Sequence, residues 1–489
     1  MKTKKNDNIK KEYLIMNNQK QPLTEGIYDA RQLGIPKMLI LGFQHMFAMF
    51  GATVLVPLLT GLDVGTTLLM AGLGTLLFHV LTGFKVPAFL GSSFAFLGGY
   101  GAIAPLAGSG EMTNAQLLPY ACLGVACAGL VYVILAALIK VVGINRVMRF
   151  FPPVVTGPII VAIGLGLAGS AVNNCKTNWM MAIIALAIII VFNIWGKGMA
   201  KIIPILLGVV GSCGIAAILA LVFGETVNIG GNDVITLAGN ESMQLFSVSA
   251  LENLKSAAWI GLPIHWENTV FGGVDWSNTS LIISAIVAIM PISLATMMEH
   301  IGDISAISST CGKNYIKDPG LHRSLLGDGL ATTMASLFGG PANTTYGENT
   351  GVLALSKVYD PRVIRIAAVI AILFSFSPKF SALVNLIPTS VIGGISFVLY
   401  GMISAVGVRN VVESKVDFSK SRNLIIAAII LVCALGLGSV SFRVFGITIT
   451  LSALAVASIA GILLNAILPG KDYNFDEEKG EDTGVNFKV

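Results

Sequence analysis

The chain is a succession of apolar runs, most of them close to the roughly 20 residues a helix needs to cross a bilayer. They are separated by short polar links. Runs of this kind lie near 38–60, 64–83, 88–104, 116–142, 153–170, 178–196 and 202–223. After a polar stretch they resume near 279–300, 325–339, 342–356, 362–377, 386–407, 421–438 and 446–468. A water-soluble domain carries about 25% charged residues, whereas here 12% are charged and 54% hydrophobic. So apolar a chain leaves too little polar surface to face water, and lipid must solvate it. Its 54 glycines are scattered through the apolar runs, where small residues let helix backbones approach closely. The expectation is an all-α integral membrane protein of 14 transmembrane segments. It has a tail at 1–35, a long extracytoplasmic loop at 224–278 and a second tail at 469–489.

Charge gives the direction of threading. Eight Lys and Arg precede the first run, which predicts a cytoplasmic N-terminus by the bias of basic links toward the inside. Fourteen spans then return the C-terminus to the same side. Only Lys176, Lys255, Lys379 and Arg443 fall outside, and the other 27 basic residues fall inside. The polar start has no short apolar core with a small-residue cleavage site, so a removed signal peptide is not expected. A multi-pass protein of the bacterial inner membrane is. The six cysteines form no disulfide pattern: four lie in apolar runs, and Cys175 and Cys311 are placed in separate loops.

The two halves resemble one another. Gln44-His45 in the first run matches Glu299-His300 in the eighth. Pro87-Ala88 followed by Ser92-Ser93-Phe94 matches Pro341-Ala342 followed by Thr344-Thr345-Tyr346. Pro152, Val155 and Gly157 match Pro388, Val391 and Gly393. Three matches in one order predict a seven-plus-seven repeat over 36–223 and 279–468. Because seven is odd, the second half enters from the opposite side, as in many secondary transporters.

Ionisable residues at bilayer depth cost about 2.5–3.5 kcal/mol on insertion scales, so each needs a reason. His45, Glu299, Asp303 and Glu348 stand out. Asp328, in SLLGDGLATT, reads as a first-turn residue favoured by the helix dipole, and His79 as a satisfied hydrogen-bonder between helices. Glu299 and Asp303, four apart, share a helix face. The third and tenth runs are broken, at Gly91-Ser92-Ser93 and at Asn343-Thr344-Thr345. Unwound backbone is tolerated at this depth only against protein or a water-filled cavity. Two breaks at corresponding places point to a substrate site between them. Half-helix N–H groups there suit carbonyl oxygens, carboxylates suit N–H groups, and Phe94 and Tyr346 offer flat faces for stacking. A small uncharged heterocycle with alternating C=O and N–H fits such a site.

The segments QHMFAMFGATVLVP, KVPAFLGSSFAF, EHIGD, DPGLHRS, TTYGENTGV and IPTSVIGGISFVLYG resemble the uracil-permease branch of the nucleobase–ascorbate transporter family over about residues 36–468. That family's signature, Gln or Glu followed by Asn-x-Gly-x4-Thr, is similar to Glu348-Asn349-Thr350-Gly351 with Ser356 in the Thr place. The resemblance implies a core domain (about 36–143 and 279–377) and a gate domain (about 144–223 and 378–468). It implies that Glu299 and Glu348 bind the base, with Ser93, Phe94, Tyr346 and Gly347 completing the pocket and Tyr400 approaching from the gate. His45, Gln44 and Asn349 support it, and Glu299, Asp303 and His45 are the proton-coupling candidates. Some members carry His where this chain has Asp303, and an Asp there is similar to purine carriers. The leading Glu of the signature is similar to uracil carriers, since xanthine carriers usually have Gln.

The expected activity is therefore uracil import by proton symport, with a purine or xanthine symporter and an anion carrier of the same fold as alternatives. Na⁺ is an alternative coupling ion. Gly196-Lys197, Gly312-Lys313 and Gly470-Lys471 lack the Ser or Thr of a phosphate loop, which argues against ATP-driven pumping. No metal-ligand cluster or nucleophile–base pair is evident, so neither a cofactor nor an enzymatic reaction is expected. No nucleic-acid partner is expected either. The family suggests a homodimer through the gate. The spans starting FPPVVTG and IPTSVIGG, with early Pro and small residues, read as smooth gate helices.

Overall fold

A computed structural model describes residues 26–109, 111–444 and 447–470; the N- and C-terminal tails expected from the sequence fall largely outside them. The apolar runs become helices in the expected order. They are α1 (Gly34–Thr60), α2 (Val64–Leu81), strand β1 (Leu90–Ser92) with the short α3 (Leu97–Ile103), and α4 (Asn114–Val142). Then come α5 (Pro153–Gly166) with α6 (Ala168–Cys175), α7 (Trp179–Trp195) and α8 (Pro204–Phe223). The second half runs through α10 (Thr279–Ile289) with α11 (Ser293–Cys311), α12 (Leu321–Leu337), strand β5 (Asn343–Thr345) with α13 (Gly347–Ser356), α14 (Pro361–Ser375), α15 (Pro378–Asn385), α16 (Thr389–Glu413), α17 (Ser421–Gly436) and α18 (Ala453–Ile467). Among the described residues seven helical stretches are long and apolar enough to cross a bilayer alone, while α7, α17 and α18 are apolar but shorter.

Local chemistry sets the ends. Asp63 accepts from the Thr66 N–H at 2.6 Å and caps α2, satisfying one of the donors a helix start leaves open. Gly61 ends α1 at φ 86°, a conformation Gly adopts without strain. Pro153, Pro204 and Pro361 sit in the first turns of α5, α8 and α14, where the missing N–H has no partner to lose.

Two expected run boundaries need correction, and the long loop has structure of its own. The 224–278 loop holds an antiparallel sheet of β2 (Gly224–Ile229), β3 (Asn232–Leu237) and β4 (Gln244–Ser247), then helix α9 (Val248–Ser256). The run at 446–468 is helical only from Ala453, because β7 (Ile447–Ser452) pairs with β6 (Ser439–Val444) in a hairpin. Its ITITL alternation of β-branched residues suits a strand. The eighth run extends to Cys311 through one 3-10 turn at Met290–Ile292. The fold is mostly helical, as expected, with short sheets between the helices.

Helix packing falls into two groups. In the first, α4 lies along α12, α2 along both α12 and α14, and α14 along α1. In the second, α16 lies against α5, α6 and α7, α7 against α8, and α5 against α17 and α18. The matched glycines lie inside this second group. A Cβ on Gly393 would sit 2.6 Å from the Cys175 nitrogen, and one on Gly157 would sit 3.2 Å from the Gly407 oxygen. They are therefore backbone contacts within one group, not a sliding face between two. Cys175 and Cys311 are both buried at helix ends, not in open loops.

Ends of the bundle are distinguished by charge. At one end Lys85 meets Asp318 at 2.6 Å, Arg362 meets Asp29 at 3.0 Å, and Lys313 lies 4.2 Å from the Tyr28 ring. At the other, Lys379 donates to the Lys255 carbonyl, and the Gln244 N–H donates to the Thr177 carbonyl.

Candidate functional site

The two broken spans cross in the first group. β1 and β5 pair antiparallel, Leu90 opposite Thr345 and Ser92 opposite Asn343. The pairing continues past the strands: Ser93 N–H donates to the Ala342 carbonyl at 2.9 Å, and Tyr346 N–H to the Phe89 carbonyl at 3.0 Å. Extended backbone at bilayer depth must find partners inside the protein, and flanking helices supply the remainder. Thr75 of α2 bonds both the N–H and the carbonyl of Leu90, and Thr332 of α12 donates to the Asn343 carbonyl at 2.6 Å. Asn343 Nδ2 reaches the Met70 carbonyl at 2.9 Å. Each half of the repeat thus supplies one threonine to one strand.

Tyr346 holds the crossing together. Its hydroxyl donates to the Ser92 carbonyl at 2.9 Å and lies 3.3 Å from Thr53 Oγ1. Its ring occupies the space a Cβ on Gly91 would need, at 2.5 Å. The ring expected as a stacking face is therefore buried beneath the strands. Phe94 does stand at the site: its ring meets Tyr400 of α16 edge to face, with centroids 6.1 Å apart. That contact joins the crossing to the second helix group. Ser93 is buried, and its Oγ has no hydrogen-bond partner among the described residues. A buried hydroxyl without a partner costs free energy, so this atom is suited to meet a polar ligand.

On α11, Asp303 Oδ2 accepts from Thr345 Oγ1 at 2.9 Å, and its Oδ1 lies 3.7 Å from where a Cβ on Gly347 would be. The carboxylate thus sits against the first residue of α13, where a helix N-terminus favours negative charge. Glu299 lies one turn earlier on the same helix. Glu348 is the second residue of α13, and its side chain lies outside what the structure describes. Asn349 Nδ2 is 3.3 Å from both Nδ1 and the carbonyl oxygen of His45. His45, Glu299 and Asp303 are the proton-coupling candidates, and the first and eighth spans carry them. Helix α13 packs against both α1 and α11, and the link between His45 and Asp303 runs through it. Gln44 turns away from the crossing and donates to the Met199 sulfur, between α7 and α8.

Sequence reading missed the partner of Asp328. The residue is not in a first turn but in the middle of α12, fully buried, with Oδ2 3.2 Å from His300 Nδ1. His300 Nε2 lies 3.0 Å from Ser324 Oγ, and Nδ1 lies 3.4 Å from Thr345 Oγ1. A polar path therefore runs Asp328, His300, Thr345, Asp303. The Gln44-His45/Glu299-His300 match was the available signal, since it marked His300 as the counterpart of His45. His79, by contrast, has the structural role expected of it, with Nε2 2.9 Å from the Ala88 carbonyl.

An inverted repeat whose two broken spans cross, with half-helices and carboxylates converging there, defines a multi-pass membrane carrier. A family model described as "Permease family" (Xan_ur_permease) matches residues 36–442. The chain is 38% identical over 460 residues to the uracil permease of Bacillus caldolyticus, covering 92% of this chain and 96% of that one. It is 38% identical to the uracil permease of Bacillus subtilis, covering 87% and 91%, and 38% identical to the putative pyrimidine permease RutG of Escherichia coli, covering 88% and 89%. The chain belongs to this permease family, the nucleobase–ascorbate transporters, and is a transporter of the bacterial membrane. Its fold is shared with the transmembrane domain of the cyanobacterial bicarbonate transporter BicA at TM-score 0.59 and 15% identity, covering 89% of this chain and 99% of that one. The anion transporter SLC26A9 matches at TM-score 0.58 and 13% identity, covering 90% and 66%.

Proposed function

We propose that this protein imports uracil by proton symport, exposing the strand crossing alternately to the two sides of the membrane. The observation that carries the substrate is near-full-length similarity to curated uracil permeases at 38% identity. The site's chemistry agrees with it. A half-helix N-terminus and the Ser93 hydroxyl suit the two carbonyls of a pyrimidine dione, Glu299 and Glu348 suit its two N–H groups, and the Phe94–Tyr400 pair suits its flat ring. The first helix group acts as the core and the second as the gate, over the boundaries expected from the sequence. Both termini lie in the cytoplasm, and two copies associate through the gate.

In this reading Glu299 is both ligand and proton carrier. Its carboxyl takes up a proton on one side of the membrane and releases it on the other, and loading of proton and base must favour each other for symport. Asp303 is a positioning residue, because its carboxylate is already engaged with Thr345 beside Gly347. Uptake of labelled uracil into proteoliposomes, competed by thymine, xanthine, hypoxanthine and ascorbate under an imposed pH or Na⁺ gradient, tests all of this. Competition by xanthine alone, or accumulation driven only by Na⁺, would overturn the corresponding part.

A further inference from the structure

The second half of the long loop, residues 257–276, carries an aromatic surface that transport does not use. Trp259, Ile260, Leu262, Trp266, Phe271 and Trp276 are all exposed, Ile260 by 83% and Trp259 by 75%. The stretch contains Glu267 and Asp275 but no Lys or Arg. Exposed apolar area of this extent marks an interaction surface in place of a water-facing loop.

Its position identifies the partner. The loop is pinned in turn to the ends of four helices of the first group. Gly261 N–H donates to the Phe376 carbonyl and Lys379 N–H to the Ala258 carbonyl, both at 2.9 Å, just past the end of α14. Thr66, in the first turn of α2, donates to the Pro263 carbonyl. Asn268 lies against Gly339, beyond the end of α12. Asp275 N–H meets the Tyr120 hydroxyl of α4 at 3.1 Å. All four are the helix ends away from the basic links. Exposed apolar side chains of the spans lie beyond the aromatic surface. Trp266 stacks on Phe271, Phe271 packs edge-on against Phe338 at the end of α12, and Phe376, Leu373 and Val369 continue exposed down α14. Tryptophan is enriched at the level of lipid headgroups, where its ring meets acyl chains and its N–H meets water.

We propose that residues 257–276 form a collar seated in the headgroup region of the bilayer, at the end of the first helix group away from the basic links. Apart from Lys379 of α15, the contacts that pin it belong to that group, so the collar sets the depth of the core. The partner is the lipid surface.

The chain has five tryptophans, Trp179 and Trp195 besides the three of the collar. In a Trp179→Phe/Trp195→Phe variant reconstituted into vesicles, fluorescence therefore reports the collar alone. Lipids brominated near the headgroup end of their chains should quench it at least about twofold, as expected for interfacial rings. Lipids brominated near the chain terminus should quench less, and aqueous iodide least. Strong iodide quenching with no effect of brominated lipid would overturn the proposal. So would insensitivity to both quenchers, which would mean that protein covers the surface. If the double variant does not fold, single Trp→Phe substitutions at 259, 266 and 276 give the same contrast by difference from the parent.

Discussion

At the residue scale the two glutamates separate by what their amides would do. Gln in place of Glu348 turns one acceptor oxygen into a donor facing a substrate N–H. A hydrogen bond to a charged group is worth about 1.5–3 kcal/mol, so uracil affinity should fall at least about tenfold for Glu348→Gln, measured by equilibrium binding. Glu299→Gln mimics the protonated carboxyl. It should abolish accumulation driven by a pH gradient while leaving uracil exchange across the membrane. Intact pH-driven accumulation in this variant would move the coupling role to His45 or to sodium. Asp328 and His300 make a different kind of pair, buried together at 3.2 Å. Leaving a buried polar group without its partner costs about 1–3 kcal/mol, so Asp328→Ala should lower thermal stability. A double-mutant cycle with His300→Ala should be strongly non-additive; additive losses would mean the two groups are not coupled. At the charged end, Arg31 holds the Asp29 carboxyl down at about 2, with Arg362 adding to it. A depressed carboxyl stabilises above its unfolded value and loses that effect as pH falls through the folded one, so this contact is intact from about pH 5 to 8. Any pH dependence of uptake in that window arises elsewhere.

At the scale of the elements, the crossing depends on one missing side chain. Gly91→Ala would place a methyl 2.5 Å from the Tyr346 ring and 2.8 Å from Thr53 Oγ1, displacing the hydroxyl that holds Ser92. Overpacking of this kind costs about 1–3 kcal/mol, and both melting temperature and uracil binding should drop. Gly98→Ala in the adjoining half-helix meets nothing within 4 Å and serves as the control that should leave both unchanged. Gly393→Leu meets backbone of α6 and should act chiefly on stability, with transport falling in step with the amount of folded protein. The broken spans themselves were legible, because Gly-Ser-Ser and Asn-Thr-Thr interrupt apolar runs. That they pair as strands was not, since three-residue strands carry no period and their partners lie over 250 residues apart.

Across the whole molecule, charge placement and packing agree on two ends. Lys176 is exposed at one and Lys317 at the other. With the native cysteines replaced, Lys176→Cys should react with an impermeant thiol reagent on cells with an opened outer envelope, and Lys317→Cys only after lysis. Reversed labelling would overturn the proposed threading. The native cysteines do not serve for this, since Cys175 and Cys311 are buried.

The sequence by itself determined the features that local composition dictates: membrane residence, the order of the helices, the two breaks and the repeat. Apolar run length and charge placement act within a few turns of chain, so neighbouring residues alone carry them. A contiguous motif also marked Glu348 and Asn349, and isolated charge in an apolar run marked Glu299 and Asp303. Tertiary structure decided which of these groups meet. It showed that α13 stands between His45 and Asp303, that Tyr346 is buried under Gly91, and that Asp328 pairs with His300 inside the bundle. It also showed the second half of a polar-looking loop as an apolar rim. Such facts depend on contacts between segments remote in sequence, where the packing of several helices, not the character of any one, fixes the distance.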